Sequence, residues 1–169
     1  MRMGIEQLLA DSSLLKELHG RRLALVAHPA SVTSTLTHSL DALMAGAVRL
    51  SSAFGPQHGM RGDKQDNMVE SEDYVDPSHR IPVFSLYGKV RRPTEDMLST
   101  FDVALFDLQD VGCRIYTFLT TLFYLMEDCA RTGKAVWVLD RPNPAGREVE
   151  GALLRDGWHS FVGGAKIPM

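Results

Sequence analysis

DVALFDL, residues 102–108, sets four apolar side chains in a row between two aspartates. A run this short and continuously apolar reads as a strand inside a sheet covered on both faces. The same pattern recurs outward from it. RRLALVAHPA carries an apolar run at 23–27 closed by His28-Pro29, and VRLSSAF covers 48–54. IPVFSLYG predicts a strand at 82–87, and AVWVLD a fifth at 135–140. Helical spacing fills the gaps. Ile5, Leu8, Leu9, Leu15 and Leu18 hold one face of residues 4–19, with a break near Asp11-Ser12-Ser13. Leu36, Leu40, Leu43 and Met44 space a helix over 33–45, ended by Gly46. Pro93-Thr94-Glu95 opens a short helix through Leu98, since proline's missing N–H costs little in a first turn. Residues 114–131 form a long helix whose stretch TFLTTLFYLM, 117–126, is apolar nearly all round. It reads as a core helix, too short and too Thr-rich to span a membrane. A polar loop, 55–80, interrupts the alternation. Strands alternating with helices predict an α/β fold: a Rossmann-like open, mainly parallel sheet with helices on both faces. No G-x-G-x-x-G follows the first strand, which ends in HPAS, so a dinucleotide is not expected.

The chain has 169 residues, 44% hydrophobic and 23% charged, enough for one domain with a real core. A net charge of −3 argues against a nucleic-acid partner. The basic doublets at 21–22 and 91–92 read as solvated surface. The N-terminal MRMGIEQLLADSSLLKELHG lacks the uninterrupted apolar core of a secretory signal, and no membrane partner is expected. Cys113 and Cys129 form neither a C-x-x-C pair nor a zinc spacing, which suits a reduced, cytoplasmic protein without metal or cofactor. Cys113 reads as a small packed residue and Cys129 as core.

Ligands of such sheets bind beyond the carboxyl ends of the strands. Those ends deliver His28, then Gln57 and His58, then Asp107, Gln109 and Asp110, then Asp140, Arg141 and Asn143. Each has a plainer reading beside it. Asp107 would equally cap the next helix, and His28 would equally be a hydrogen-bonded loop residue. His58 is better placed for function, because Pro56 and Gly59 constrain the backbone around it. Arg114, in the first turn of its expected helix, opposes the helix dipole and so points to an anion or a carboxylate. Asp140-Arg141-Pro142-Asn143-Pro144 is a rigid polar turn suited to binding, although a structural Asp–Arg pair would look the same.

Six motifs occur in order: F-G-P-x-H-G-x-x-G-D (54–63), S-L-Y-G (85–88), F-D-L-Q-D-V-G-x-R-x-Y-T (106–117), L-D-R-P-N-P (139–144), E-G (150–151) and S-F-V-G (160–163). Together they resemble the NamZ-type exo-β-N-acetylmuramidases over nearly the whole chain. The resemblance implies a Rossmann-like N-terminal domain followed by a smaller C-terminal domain, with the site in the cleft between them. It implies hydrolysis of terminal N-acetylmuramic acid from peptidoglycan fragments. Residues 1–169 are then expected to be the N-terminal domain alone, with the C-terminal domain that completes the cleft absent from this chain. An apolar patch is expected where that domain would pack.

The resemblance also exposes a departure. Its members read P-E-H-G, with the glutamate as the proposed catalytic residue, where this chain has Gln57. An amide neither transfers a proton as a carboxyl does nor acts as a carboxylate nucleophile. The roles implied are therefore Asp110 as acid–base group, His58 positioning it or the leaving group, and Gln57 orienting sugar or water. Asp107, three residues before Asp110, is expected to share the cleft and to raise one of the two pKa values. Arg61 or Arg114 is available for the lactyl carboxylate, with His28, Gln109, Asp140, Arg141 and Asn143 as further binding residues. Three other readings compete: a sugar- or muropeptide-binding module without catalysis, a metal-dependent hydrolase using His28, His58, Asp107 and Asp110, and an interaction or regulatory piece or incomplete gene product. The second lacks any H-x-H or H-E-x-x-H spacing.

Overall fold

The computed structural model describes residues 2–46, 48–62, 70–146 and 148–169. Asp63, the last residue of the FGPQHGMRGD motif, and residues 63–69 of the expected polar loop lie outside the described residues. In chain order the elements are α1 (Gly4–Ala10), α2 (Ser12–Leu18), β1 (Leu23–Ala27), α3 (Ser39–Ala45), β2 (Leu50–Gly55), β3 (Tyr74–Val75), β4 (Pro82–Ser85), α4 (Glu95–Leu98), β5 (Val103–Asp107), α5 (Thr117–Arg131) and β6 (Ala135–Val138). The strands make one sheet in the order β3-β4-β2-β1-β5-β6. Its pairs are parallel except for the short edge strand β3, which runs antiparallel to β4. The expected α/β architecture is what the chain adopts.

Strand periodicity sorts the core into two layers, because successive side chains leave a strand on opposite faces. Leu23, Leu25, Ala27, Val103 and Leu105 pack with Ile5, Leu8, Leu18, Leu40 and Leu43 on the α1–α3 side. Ala24, Val26, Ala104 and Phe106 pack with Met97, Leu98, Phe118, Leu125 and Cys129 on the α4–α5 side. Every residue of β1 and β5 is buried, as their unbroken apolar runs require. Burial raises the Cys129 thiol to about 11, so it is inert core.

Several boundaries differ from the sequence reading, each for a local reason. The break in the first helix is real: Asp11 ends α1, and its carboxylate accepts the backbone N–H groups of Ser13 and Leu14 to cap α2. The helix expected over 33–45 begins only at Ser39. Thr33 Oγ1 takes the Thr37 N–H, Thr33 N donates to Thr37 O, and His38 Nδ1 caps α3 through the Leu40 N–H. Leu36, expected on the helical face, is instead exposed with a positive φ of 61°. Strand β3, which the polar composition of 55–80 concealed, pairs with β4 and makes β6 the sixth strand. Thr94 caps α4, so Pro93 lies one residue before the cap rather than in the first turn. Helix α5 starts at Thr117, so Arg114 precedes it and the helix-dipole argument for that residue does not apply. Nor is α5 apolar all round in its setting: Phe118, Leu125 and Cys129 are buried, whereas Met126 is half-exposed. Among the described residues no helix is long and apolar enough to cross a membrane. Residues 149–169 run without helix or strand and expose Val149, Leu153, Trp158, Val162 and Met169.

The densest polar contact in the interior lies where β5 ends. Asp107 is fully buried, and Arg141 Nε and Nη2 grip its two carboxylate oxygens at 2.7 and 3.0 Å. Ser39 donates to the same carboxylate, and Ser31 donates to the Asp107 backbone carbonyl. Arg141 also reaches the Val32 carbonyl at 3.0 Å. One ion pair thus fastens the ends of β1, β5 and β6 to the start of α3. Removing one partner strands a buried charge, at a cost of about 3–5 kcal/mol. Arg141→Ala should lose about that much stability in urea unfolding. Asp102→Asn, which breaks the exposed Arg22–Asp102 pair, should lose no more than about 1 kcal/mol. Equal losses would contradict this assignment.

Candidate functional site

Because β2, β1, β5 and β6 are parallel neighbours, their carboxyl ends form one continuous edge. Along it stand Gln57 and His58 after β2, His28 after β1, Asp110 after β5 and Asp140 after β6. The chain leaves β1 for β2 on one side, while β5 pairs with the other. The crevice between His28 and Asp110 is therefore the topological switch point where open α/β sheets take ligands.

The turn after β2 is strained and held. His58 has φ 70° and Gly59 φ 75°, with the Gly59 N–H closing on Pro56 O at 2.9 Å. A Cβ on Gly55 would come within 2.9 Å of Met60 N, so the turn folds back hard on the strand end. Met60, 1% exposed in the core, anchors it. A non-glycine residue in this region costs about 1–3 kcal/mol and recurs at functional sites.

Gln57 accepts a hydrogen bond from Thr117 Oγ1 at 3.2 Å, which fixes its carbonyl end on the first residue of α5. Its amide N–H groups have no protein acceptor among the described residues and remain available to donate. The His58 ring meets His28 edge-on, with centroids 6.3 Å apart, and His28 in turn packs on Phe118 at 5.1 Å. His28 Nδ1 accepts the Ala30 N–H, and the His28 carbonyl accepts from His38 Nε2. Burial first, then the neighbouring His58 and His38, lower the His28 pKa to about 4. It is a neutral imidazole near neutral pH.

Across the crevice, each Asp110 oxygen takes one N–H at 2.9 Å, from Gly112 N and from Asn143 Nδ2. Gln109 Nε2 donates to Asp110 O at 2.7 Å and to Pro142 O at 3.0 Å. Asn143 Oδ1 accepts the Ala145 N–H at 2.9 Å. A Cβ on Gly112 would meet the Ala145 methyl at 2.4 Å, so the loops after β5 and β6 are in direct contact. Asp140 is exposed, and its carboxylate has no protein partner among the described residues.

Other sequence candidates are engaged elsewhere. Asp107 does not face a cleft beside Asp110, because its side chain is wholly enclosed with Arg141. Arg61 spends its guanidinium on Asp41 at 2.6 and 2.8 Å and on Asp76 at 3.2 Å. Its hydrogen bonds hold the Asp41 carboxyl far below the usual range. Arg114 Nη1 binds the carbonyls of Ala152 and Ile167 at 2.7 and 2.5 Å, tying down the C-terminal segment rather than an anion. Among the described residues no three His, Cys, Asp or Glu side chains gather to hold a metal ion. His28, His58, Asp107 and Asp110 thus do not make a ligand set. The sequence reading passed over Thr117, although it closes the F-D-L-Q-D-V-G-x-R-x-Y-T motif. Phe118 and His38 carried no signal beyond their neighbours.

The profile of the family described as exo-β-N-acetylmuramidase NamZ, N-terminal, matches residues 23–169. The peptidoglycan β-N-acetylmuramidase NamZ of Bacillus subtilis is 44% identical over 98% of this chain, which covers 40% of that protein. Two crystal structures of DUF1343 family proteins from Bacteroides fragilis share the fold. One has a TM-score of 0.86 at 42% identity, and the other 0.80 at 32%. Each is matched over 99% of this chain and about 41–42% of its own length. The chain therefore spans about 40% of the relatives it matches.

The depressed His28 pKa links site and stability. The unfolded chain binds that proton below about pH 6.5, whereas the folded chain binds it only near 4. Stability from this group is full above pH 6.5 and is lost as pH falls through 4. NMR titration should place the His28 ring midpoint near 4, and His28→Gln should flatten the acid limb of the unfolding profile. A midpoint near 6.5 would contradict the enclosed site.

Proposed function

The chain belongs to the NamZ N-terminal family, and on that premise we propose that its sheet edge forms one wall of a site for terminal N-acetylmuramic acid in peptidoglycan fragments. The reading places the protein in cell-wall turnover, acting in the cytoplasm. The observation that supports it most is the unbroken row Gln57, His58, His28, Asp110 and Asp140 along adjacent strand ends, centred on the switch-point crevice. A hydroxylated, acidic sugar needs donors and acceptors on a rigid frame, and this row supplies both.

In this proposal Asp110 is the acid–base group, because it is partly accessible while Asp107 is sealed. Gly112 and Asn143 fix its orientation, which suits proton transfer along one direction. His58 positions the leaving group. Gln57, its carbonyl held by Thr117, donates to a sugar oxygen or to the attacking water. The lactyl carboxylate cannot take Arg61 or Arg114 without breaking the contacts described above. Its binding is assigned to the Gln57 amide and the His58 ring.

A second reading is favoured by Gln57 itself: this branch binds the sugar without cleaving it, since the amide removes a carboxyl from the position that the family's glutamate holds. Release of chromophore from a chromogenic N-acetylmuramic acid glycoside separates the two. The assay uses this chain and a chimera joining it to the remaining part of the Bacillus subtilis relative. Catalysis predicts turnover that Asp110→Asn lowers by about 10²–10⁴; unchanged turnover removes Asp110 from the mechanism. No turnover, recovered in Gln57→Glu, shows an intact pocket that lacks only the carboxyl, as the binding reading requires.

A further inference from the structure

Beside Asp110 the structure holds a cavity of about 190 Å³ between the ends of β5 and β6 and the inner face of α5. Its walls are apolar: Phe106 and Leu108 from β5 and its end, Phe118, Leu119 and Leu122 from α5, and Val138 from β6. Asp110, Asp140 and Arg141 border the same cavity. Nothing in the roles assigned above uses this space.

We propose that this cavity takes the N-acyl group of an amino sugar, its methyl end against the apolar walls and its amide N–H on the Asp140 carboxylate. The inference rests on the sugar-site reading and adds which substituent of the sugar is selected and by which residues. The chemistry of the lining carries it. The hydroxyls of a pyranose ring pushed past the charged rim would meet six hydrocarbon side chains and no partners there, and burying them unpaired is costly. An acyl methyl gains there, and apolar cavities of about 150 Å³ accept guests as large as benzene. An amide guest then needs an acceptor at the mouth. Asp140 is exposed and its carboxylate has no protein partner among the described residues. Asp110 already receives Gly112 and Asn143 and stays fixed for its own role. Val138, half-exposed in the chain alone, is an apolar wall that the methyl group would cover.

The Arg141 guanidinium does not compete for the guest, because Asp107 and the Val32 carbonyl hold it. Acyl selection thus takes place against Arg141 of the buried pair without drawing on its hydrogen bonds. It lies apart from Gln57 and His58, which follow β2 on the other side of the crevice.

Calorimetric titration of this chain with N-acetylmuramic acid, its N-propionyl analogue and de-acylated muramic acid tests the assignment. N-acetylmuramic acid should bind about tenfold more tightly than muramic acid, from one buried methyl and one hydrogen bond. The propionyl analogue should bind at least as well, up to about fourfold tighter for the added methylene. Leu122→Trp, which fills the cavity, should abolish that preference, and Asp140→Ala, at an exposed side chain that no fold contact uses, should cut it to the methyl group's share, about fourfold. Asp140→Ala keeps the test intact if Leu122→Trp disturbs folding. Equal affinities, or tighter binding of muramic acid through its ammonium group, would overturn the acyl pocket while leaving the sugar site standing. Failure of all three sugars to bind would overturn the sugar-site reading and this inference with it.

Discussion

The buried pair of Asp107 and Arg141 holds together segments that would otherwise be independent loops. Asp107 closes β5, and Arg141 lies 34 residues later in the turn after β6. Ser31 and Ser39, on the loop after β1 and the first residue of α3, donate into the same knot. Taking two charges out of water is expensive, and such a pair adds little net stability over well-packed apolar side chains. What it supplies is geometry. Every donor and acceptor is matched only when the ends of β1, β5 and β6 sit in one arrangement, and a fully satisfied buried network specifies a single state. That arrangement sets the height of His28, Asp110 and Asp140 along the rim.

From this anchor the rim divides into two halves of different character. On the β1–β2 side the polar groups are imidazoles and an amide, packed on Phe118 and Thr117 of α5. On the β5–β6 side they are carboxylates and backbone dipoles, with an apolar hollow beneath. Helix α5 touches both halves through consecutive residues, Thr117 toward Gln57 and Phe118 toward His28 and the hollow. Its first turn is thus the physical link across the crevice. A ligand spanning the crevice would meet an amide and imidazoles at one end and carboxylates at the other.

Much of this was legible in the sequence, for definite reasons. Strands β1 and β5 announce themselves because a strand buried on both faces admits no polar interruption, and LALVA and VALF contain none. The rim positions followed, since a parallel sheet sends every strand end to one edge. Local backbone capture was not legible. The Thr33–Thr37 contacts and the His38 cap withdraw six residues from a helix that the leucine spacing supports. Nor was the orientation of each rim side chain. Whether an aspartate at a strand end faces solvent or the interior depends on its partner. For Asp107 that partner is remote in sequence, while Asp110, three residues on, finds Asn143 at the surface. Arg61 and Arg114 looked equally free in the sequence, and both are committed to contacts with residues that spacing does not connect to them.

Mapping by ¹⁵N–¹H NMR, with N-acetylmuramic acid titrated into the labelled chain, tests the central claim that these strand ends act as one site. The account predicts shifts concentrated at residues 28, 57–58, 110–112, 117–118 and 140–143, growing together along a single binding curve. Shifts centred on the opposite edge of the sheet, around residues 20–23 and 48–49, or separate curves for the two halves of the rim, would contradict it.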